Sequence, residues 1–359
     1  MTKKTAILFG SEAVAALHEV LDNSKSGSSG VFLLTDHNTH KYCLPQLKLL
    51  LGFCDAGWIN ISIPAGESHK TLETAAAIWQ ELTDHKAGRD AVLICLGGGV
   101  VTDIGGFAAS CYKRGIRCIH IPTTLLAMND AAIGGKTGID FNFLKNHIGT
   151  FYLPEKVLIL PEFLSTLPSG QLQSGWGEVT KYGFIASPAL LQINPETISS
   201  AEAWHQLISE CVSIKVRVTD LDPLETGLRK ILNFGHTIGH AFESFALENN
   251  IELFHGQAVA SGILVELNLS QKIFNLEKSV ISQYIESLKQ NFEPFKFSVS
   301  AIDDLIHRMG QDKKNQGTSL RFVLLETIGK PIYDVEVQID MIKEALLFYL
   351  AQINDESND

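Results

Sequence analysis

Apolar positions along the chain fall into two regimes. In the first half, short aliphatic and β-branched runs (TAILFG, VFLLTD, WINISIP, AVLICLGGG, RCIHIPTT and KVLILP) alternate with helix-length stretches or loops. AVLIC and VFLL are continuously apolar rather than alternating, as strands buried on both faces of a parallel sheet are. This pattern predicts a Rossmann-like α/β N-terminal domain with helices on both faces of its sheet. Beyond Leu167 the strand signal fades. Helical periodicity takes over in QLISECVSIKVRV, AVASGILVELNLSQKIF and DMIKEALLFYLAQIN, which predicts a mainly α-helical C-terminal domain. The proline and glycine of LPSGQ place the boundary at Pro168, giving domains 1–167 and 168–359.

At 359 residues and 45% hydrophobic content, the chain can bury the cores of two domains. No apolar run reaches the roughly 18 residues of a membrane span, and MTKKTAILFG lacks the features of a signal peptide. A cytoplasmic location with no membrane partner is expected. The six cysteines form no CxxC pair and read as small hydrophobes in a reducing compartment. A net charge of −11 argues against nucleic acid, whose backbone requires a basic surface. Anionic small molecules stay open. Lys136, Lys145, Lys181, Lys215 and Arg229 stand in glycine-rich or histidine-rich contexts and can make a local cationic pocket.

Three segments carry candidate chemistry. Gly97, Gly98 and Gly99 follow an apolar strand and precede VVTDIGGFAA, where α/β proteins set a nucleotide pyrophosphate against a helix N-terminus. Thr102 stands where the third glycine of GxGxxG belongs, so the fingerprint is incomplete. Asp36 ends the second strand, placed either to accept from a ribose hydroxyl, as in NAD sites, or to cap the next helix. GGKTG superficially suggests a phosphate loop, but Asp130 occupies the position of its first glycine. What remains is a lysine-bearing loop suited to clamping a phosphorylated, polyhydroxylated substrate.

The third segment, LNFGHTIGHAFE followed by FHGQAV, concentrates His236, His240 and His255. The four-residue spacing of the first two suggests a metal-binding helix face. Gly235, Gly239 and Gly256 leave room for a ligand or for a second backbone. In GWGEVTKYG, Glu178 and Lys181 share a helix face, the arrangement of a surface ion pair. Glu178 can also complete a ligand set with His236 and His255 that keeps a position open, as catalytic zinc does.

In order along most of the chain, GGGVVTDIGGFAA, IPTTLLAMNDAAIGGKTGID, LKNHIGTFY, LSTLP, GEVTKYG, ETGLRKILNFGHTIGHAFE and HGQAV resemble the 3-dehydroquinate synthase family of sugar phosphate cyclases. The resemblance implies a lyase of the shikimate pathway that uses NAD and Zn2+, with Co2+ as the alternative metal. It would convert 3-deoxy-D-arabino-heptulosonate 7-phosphate to 3-dehydroquinate and phosphate by transient oxidation, phosphate elimination, reduction and aldol cyclisation. The metal ligands implied are Glu178, His236 and His255, while His240 moves to the substrate phosphate.

The NAD contacts implied are Asp36, Glu67, Lys70, Gly98, Gly99, Val100, Val101, Thr102, Asp103, Thr123, Thr124, Lys136, Lys145 and the Phe163, Leu164, Ser165, Thr166 segment. Substrate contacts fall on Asp130, Lys136, Lys145, Asn146, Lys181, Lys215, Arg229, Asn233 and His240, with a lysine of QDKKNQG, Lys313 ahead of Lys314. Arg114 matches an arginine lent across a homodimer interface. Thr102, MND before AAIGGK and DPLETGLR depart from the family's usual residues, which leaves substrate choice slightly more open. Other sugar phosphate cyclases, a metal-dependent polyol dehydrogenase and a noncatalytic metabolite binder are the alternatives.

Overall fold

The computed structural model describes residues 4–25, 30–52, 57–142, 144–311 and 319–354. The chain divides into two compact units, one of residues 1–168 with 200–216 and one of residues 169–199 with 217–359. A single cut at Pro168 does not anticipate the return of 200–216 to the first unit.

The first unit is built on six parallel strands, β1 (Ala6–Phe9), β2 (Val31–Asp36), β3 (Ile59–Ile63), β4 (Val92–Gly97), β5 (Arg117–Pro122) and β8 (Lys156–Ile159), in the order β1-β8-β5-β4-β2-β3. All six fall within the short aliphatic and β-branched runs of the first half. Their helices are α1 (Gly10–Lys25), α2 (His37–Tyr42), α3 (Leu44–Leu51), α4 (Leu72–Asp84) and α5 (Gly99–Cys111). Phe32, Leu34, Leu93 and Cys95 pack into one core with Ile78 of α4 and Val101, Ile104 and Ala108 of α5. The intervening Leu33 and Ile94 are as fully buried, so both faces of the sheet are covered. From β2 the chain moves outward to β3, then returns to place β4 on the other side of β2. This reversal sets the ends of β2 and β4 at a topological switch point, where ligands bind in open α/β sheets.

An antiparallel hairpin, β6 (Lys136–Phe141) with β7 (Leu144–Phe151), occupies the stretch read as a lysine-bearing loop. Lys136 is therefore the first residue of a strand. The preceding Ala127–Ala131 forms a π-helical turn.

The second unit contains α6 (Ser169–Ile185), the end of α7 (Ala201–Leu221), α8 (His236–Glu248), α9 (His255–Phe274), α10 (Lys278–Asn291), α11 (Ile302–Gln311) and α12 (Ile339–Asn354). Every residue of α9 from Gly256 to Ser270 is buried, against α6, α8, α10 and α12. A bulged antiparallel hairpin, β9 (Ser319–Thr327) with β10 (Lys330–Gln338), adds two strands to this mainly helical unit. Among the described residues, no helix is long and apolar enough to cross a membrane. Cys43, Cys95, Cys118 and Cys211 are buried and Cys111 is exposed, while Cys54 lies outside the described residues.

Candidate functional site

In the first unit the candidate residues gather around the turn between β4 and α5. Gly98 caps α5, so the first amides of the helix have no partner within it. Thr123 donates its amide to the Gly97 carbonyl at 3.0 Å, which sets Thr123 and Thr124 beside this turn. A Cβ on Gly98 would come within 2.9 Å of the Thr124 methyl, so glycine is required by close approach. Thr102 fits without disturbing the turn, because its hydroxyl donates back to the Gly99 carbonyl at 3.0 Å. Val101 belongs to the core and Val100 is half-buried.

Buried Lys70 joins three further candidates. Its Nζ lies 2.6 Å from Asp103 Oδ2 and 3.9 Å from Glu67 Oε1, and it also donates to Asn146 Oδ1. Burial opposes its charge, yet Asp103 and then Glu67 hold the ammonium above its ordinary pKa. Burial likewise raises the Asp103 carboxyl, against the pull of Lys70.

Asp36 serves as a helix cap. Its Oδ1 accepts from the Thr39 amide at 2.7 Å and the Thr39 hydroxyl at 3.0 Å. Phe163 and Leu164 are core residues, and Ser165 and Thr166 turn their hydroxyls onto carbonyls of their own turn. Lys215, nearly buried, holds Asp130 at 2.8 Å. Lys136 and Lys145 are exposed. Arg114 is exposed too, in the left-handed region at φ 68°, between Lys113 at 49° and Gly115 at 113°.

In the second unit three helices meet through glycine. A Cβ on Gly256 of α9 would run into the Ser174 carbonyl of α6, and one on Gly177 into the Gly256 carbonyl. Gly235, at φ 81°, precedes α8, and a Cβ there would lie 2.9 Å from the Val259 carbonyl. The Gly235 amide donates to Glu266 Oε2 at 2.7 Å from within α9. These glycines thus admit a second backbone rather than a ligand.

That close approach brings Glu178, His236 and His255 together. Their donor atoms lie within 4.8 Å of one another, and both histidine Nε2 atoms lie 3.3 Å from the same oxygen, Glu178 Oε1. On each imidazole the other nitrogen is occupied: His236 Nδ1–H donates to the Phe234 carbonyl at 3.1 Å and His255 Nδ1–H to Glu243 Oε2 at 3.3 Å. Both Nε2 atoms are thereby turned inward, the arrangement that outer carboxylates and carbonyls impose on metal-binding histidines. Glu178 is fully buried, with Oε2 paired to Lys181 and Oε1 facing both histidines. Such a donor set fits a divalent cation.

The electrostatics distinguish the two histidines. Burial opposes its ionisation, but Lys181 and then His236 hold the Glu178 carboxyl well below its ordinary range. Desolvation pulls His236 down to about 4, leaving its imidazole neutral near pH 7. At His255 burial is overcome by Glu243 and Glu178, which push it up to about 10. The Glu178–Lys181 pair is buried, at 0% and 1% exposure, which corrects the surface reading.

His240 is exposed and sits edge-on to His236, ring centres 5.4 Å apart. Among the described residues, no group of candidate ligand atoms contains both His236 and His240, against the reading suggested by HxxxH spacing. A second group, His240, Glu243 and His255, competes for His255 but draws on the carboxylate that orients its Nδ1. The Glu178 group leaves that carboxylate free to orient the ring. Glu243 escaped the sequence reading, although it lies seven residues from His236 on the same helix and so on the same side. Arg229 is 1% exposed and donates to the Pro223 carbonyl, and Asn233 donates to Glu225 Oε1 at 2.7 Å. Asn233 and Glu225 line a cavity of about 530 Å3 with Lys230, Thr237 and Arg321. Lys313 and Lys314 lie outside the described residues.

Family profiles described as 3-dehydroquinate synthase N-terminal and C-terminal match residues 60–174 and 175–315. The chain belongs to the 3-dehydroquinate synthase family. It is 40% identical over 323 residues to the 3-dehydroquinate synthase of Parabacteroides distasonis, covering 89% of this chain and 91% of the relative. To the 3-dehydroquinate synthase of Thermococcus kodakarensis it is 43% identical over 290 residues, covering 80% and 81%. Among solved structures, a 2-deoxy-scyllo-inosose synthase complexed with carbaglucose-6-phosphate, NAD+ and Co2+ superposes with TM-score 0.81 at 24% identity, over 95% of both chains. The 2-epi-5-epi-valiolone synthase of Streptomyces hygroscopicus, with NAD+ and Zn2+ bound, gives 0.82 at 24%, over 97% of both. The fold is thus shared with these two synthases.

Proposed function

We propose that the chain is a 3-dehydroquinate synthase, converting 3-deoxy-D-arabino-heptulosonate 7-phosphate to 3-dehydroquinate and phosphate, with NAD and Zn2+ or Co2+ as cofactors. The observation that carries this reading is the convergence of Glu178, His236 and His255 in a chain 40% identical, along 89% of its length, to a 3-dehydroquinate synthase. When bound, the nucleotide supplies reversible hydride transfer and the metal supplies Lewis acidity.

The chain's own residues do the rest. The amides at the start of α5, from Gly99 to Val101, suit a pyrophosphate, with Gly98, Thr102 and Asp103 in the same turn and Thr123, Thr124, Lys70 and Glu67 around the same nucleotide. Asp36, Lys136, Lys145 and the Phe163–Thr166 turn complete the nucleotide assignment. Glu178, His236 and His255 hold the metal, with Glu243 fixing the ring of His255. Lys181, Lys215, Asp130, Asn146, Lys136, Lys145, Arg229, Asn233, His240 and Lys313 are assigned to the sugar phosphate, and His240 to its phosphate. Cationic side chains orient the leaving phosphate, which lets one site serve successive steps. A homodimer in which Arg114 reaches its partner, a cytoplasmic setting and independence from nucleic acid and membranes complete the proposal.

A purified sample given NAD+, a divalent metal and the heptulosonate phosphate tests it. Phosphate release with no net NADH and with dehydroquinate as product is expected. Net NADH would instead indicate a polyol dehydrogenase. Turnover of glucose 6-phosphate or sedoheptulose 7-phosphate in its place would indicate another cyclase, a reading that rests on fold likeness alone.

A further inference from the structure

Cys95, Cys118 and His120 stand outside every role assigned above. Cys95 lies on β4, and Cys118 and His120 lie on the neighbouring β5, where His120 is the register partner of Cys95. All three are buried, at 0%, 2% and 3% exposure. The two sulfurs are 3.9 Å apart, and a ring nitrogen of His120 lies within 4.8 Å of both. His120 Nδ1–H donates to the Ala132 carbonyl at 3.3 Å, while its Nε2 makes no hydrogen bond despite its burial. An imidazole tied through Nδ1 to a carbonyl, with the Nε2 lone pair left over, is held as metal-binding histidines are. Helix α5 crosses this cluster without side chains: a Cβ on Gly105 would strike the Cys95 sulfur, and one on Gly106 would lie 3.5 Å from His120 Nε2.

We propose that Cys95, Cys118 and His120 form a second metal site, a buried bis-thiolate and imidazole set for a thiophilic d10 cation, Zn2+ or Cu+. Metal–sulfur bonds of about 2.3 Å separate two sulfurs by about 3.8 Å around a tetrahedral ion, close to the spacing found here. Two thiolates neutralise a divalent cation, and the imidazole supplies a third donor. Bound there, the ion joins β4 to β5 beneath the turn at Gly97 and stabilises the first unit. It takes no part in the chemistry assigned to Glu178.

Cobalt separates the two sites, because the Glu178 set contains no sulfur. The full-length protein is produced in cells grown with Co2+ in place of zinc, and metal content and near-ultraviolet absorption are measured. We expect about two ions per chain and a thiolate-to-cobalt charge-transfer band, with about one ion and the same band in Glu178→Gln. In Cys118→Ser the band should disappear and one ion should remain. For Cu+, growth with copper should give copper bound per chain that Cys118→Ser loses and Glu178→Gln keeps. Absence of both the band and this copper from the wild-type protein would overturn the proposal, and no cysteine variant has to fold for that result. A Cys95–Cys118 disulfide in the freshly isolated protein, found by thiol alkylation and mass, would overturn it as well.

Discussion

The turn at Gly97–Asp103 and the cluster at Glu178, His236 and His255 are assembled in opposite ways. The turn is a product of local backbone. A strand ends, a helix begins within two residues, and unpaired amides follow from helix geometry wherever that junction occurs. The cluster is a product of tertiary contact. Its members start or occupy three different helices, and they meet because Gly177, Gly235 and Gly256 let those helices touch backbone to backbone. At the turn the missing Cβ atoms of Gly97 and Gly98 make room for the Val101 and Thr124 side chains, whereas at the cluster those of Gly177 and Gly256 make room for another helix's backbone.

The largest effect should come from the cluster itself. His255→Ala is expected to lose the metal and to lower turnover on the order of 10^3-fold or more, because a Lewis acid contributes several kcal/mol to the transition state. His240→Ala should keep its metal while losing activity. Metal loss in His240→Ala, read by elemental analysis, would move the ligand set to His240, Glu243 and His255. Next comes the glycine contrast. Gly256→Ala must push α9 off α6 and should cost about 1–3 kcal/mol or more, with loss of metal. Gly99→Ala meets only the Ala131 methyl at 3.5 Å and should melt within a few degrees of wild type while binding NAD less tightly. Equal melting losses in both variants would erase the distinction between the two kinds of site. Smaller again is Glu243→Gln, which keeps the fold and weakens metal affinity by about 10–100-fold through a less constrained His255.

The same contrast explains what could be read from the sequence. All six strands of the parallel sheet were legible: β2 and β4 are unbroken apolar runs because they are buried on both faces, and β3 at the edge keeps the alternation of a half-buried strand. The turn after β4 was legible because strand, glycine and helix are consecutive. The grouping of Glu178 with His236 and His255 stood in the residues as one option beside the His236–His240 pair, and family resemblance favoured it. Spacing pointed to His236 and His240, which share a helix side, whereas His255 and Glu178 arrive from elsewhere in the chain. Glu178 with Lys181 had the pattern of an exposed ion pair, and only packing reveals that both are buried. The hairpins were missed for local reasons. β6 opens within GGKTG, which reads as a loop, and β10 carries Pro331, which weakens a strand signal.

The smallest expected effect lies in the loop ahead of Asn233, where local and tertiary construction combine. Asp222 accepts from the amides of Thr226, Gly227 and Arg229 at 2.7–3.0 Å and so fixes the segment that carries Arg229. Desolvation opposes its ionisation, but these amides, Gly227 first, outweigh it and hold the carboxyl down at about 2, against 3.8 for a free aspartate. A depressed carboxylate stabilises the folded state fully above the unfolded value and loses that contribution as pH falls through the folded one. Stability should therefore decline between about pH 4 and about pH 2 through this group, and be unaffected by it at neutral pH. Asp222→Asn removes the titration while keeping one acceptor oxygen. Its amides from Thr226 to Arg229 should exchange hydrogen somewhat faster at pH 7, yet show less additional loss of protection on acidification than wild type. An acid response of the loop that is identical in both proteins would mean that other carboxylates govern it, and that the loop is held by its surroundings rather than by its own cap.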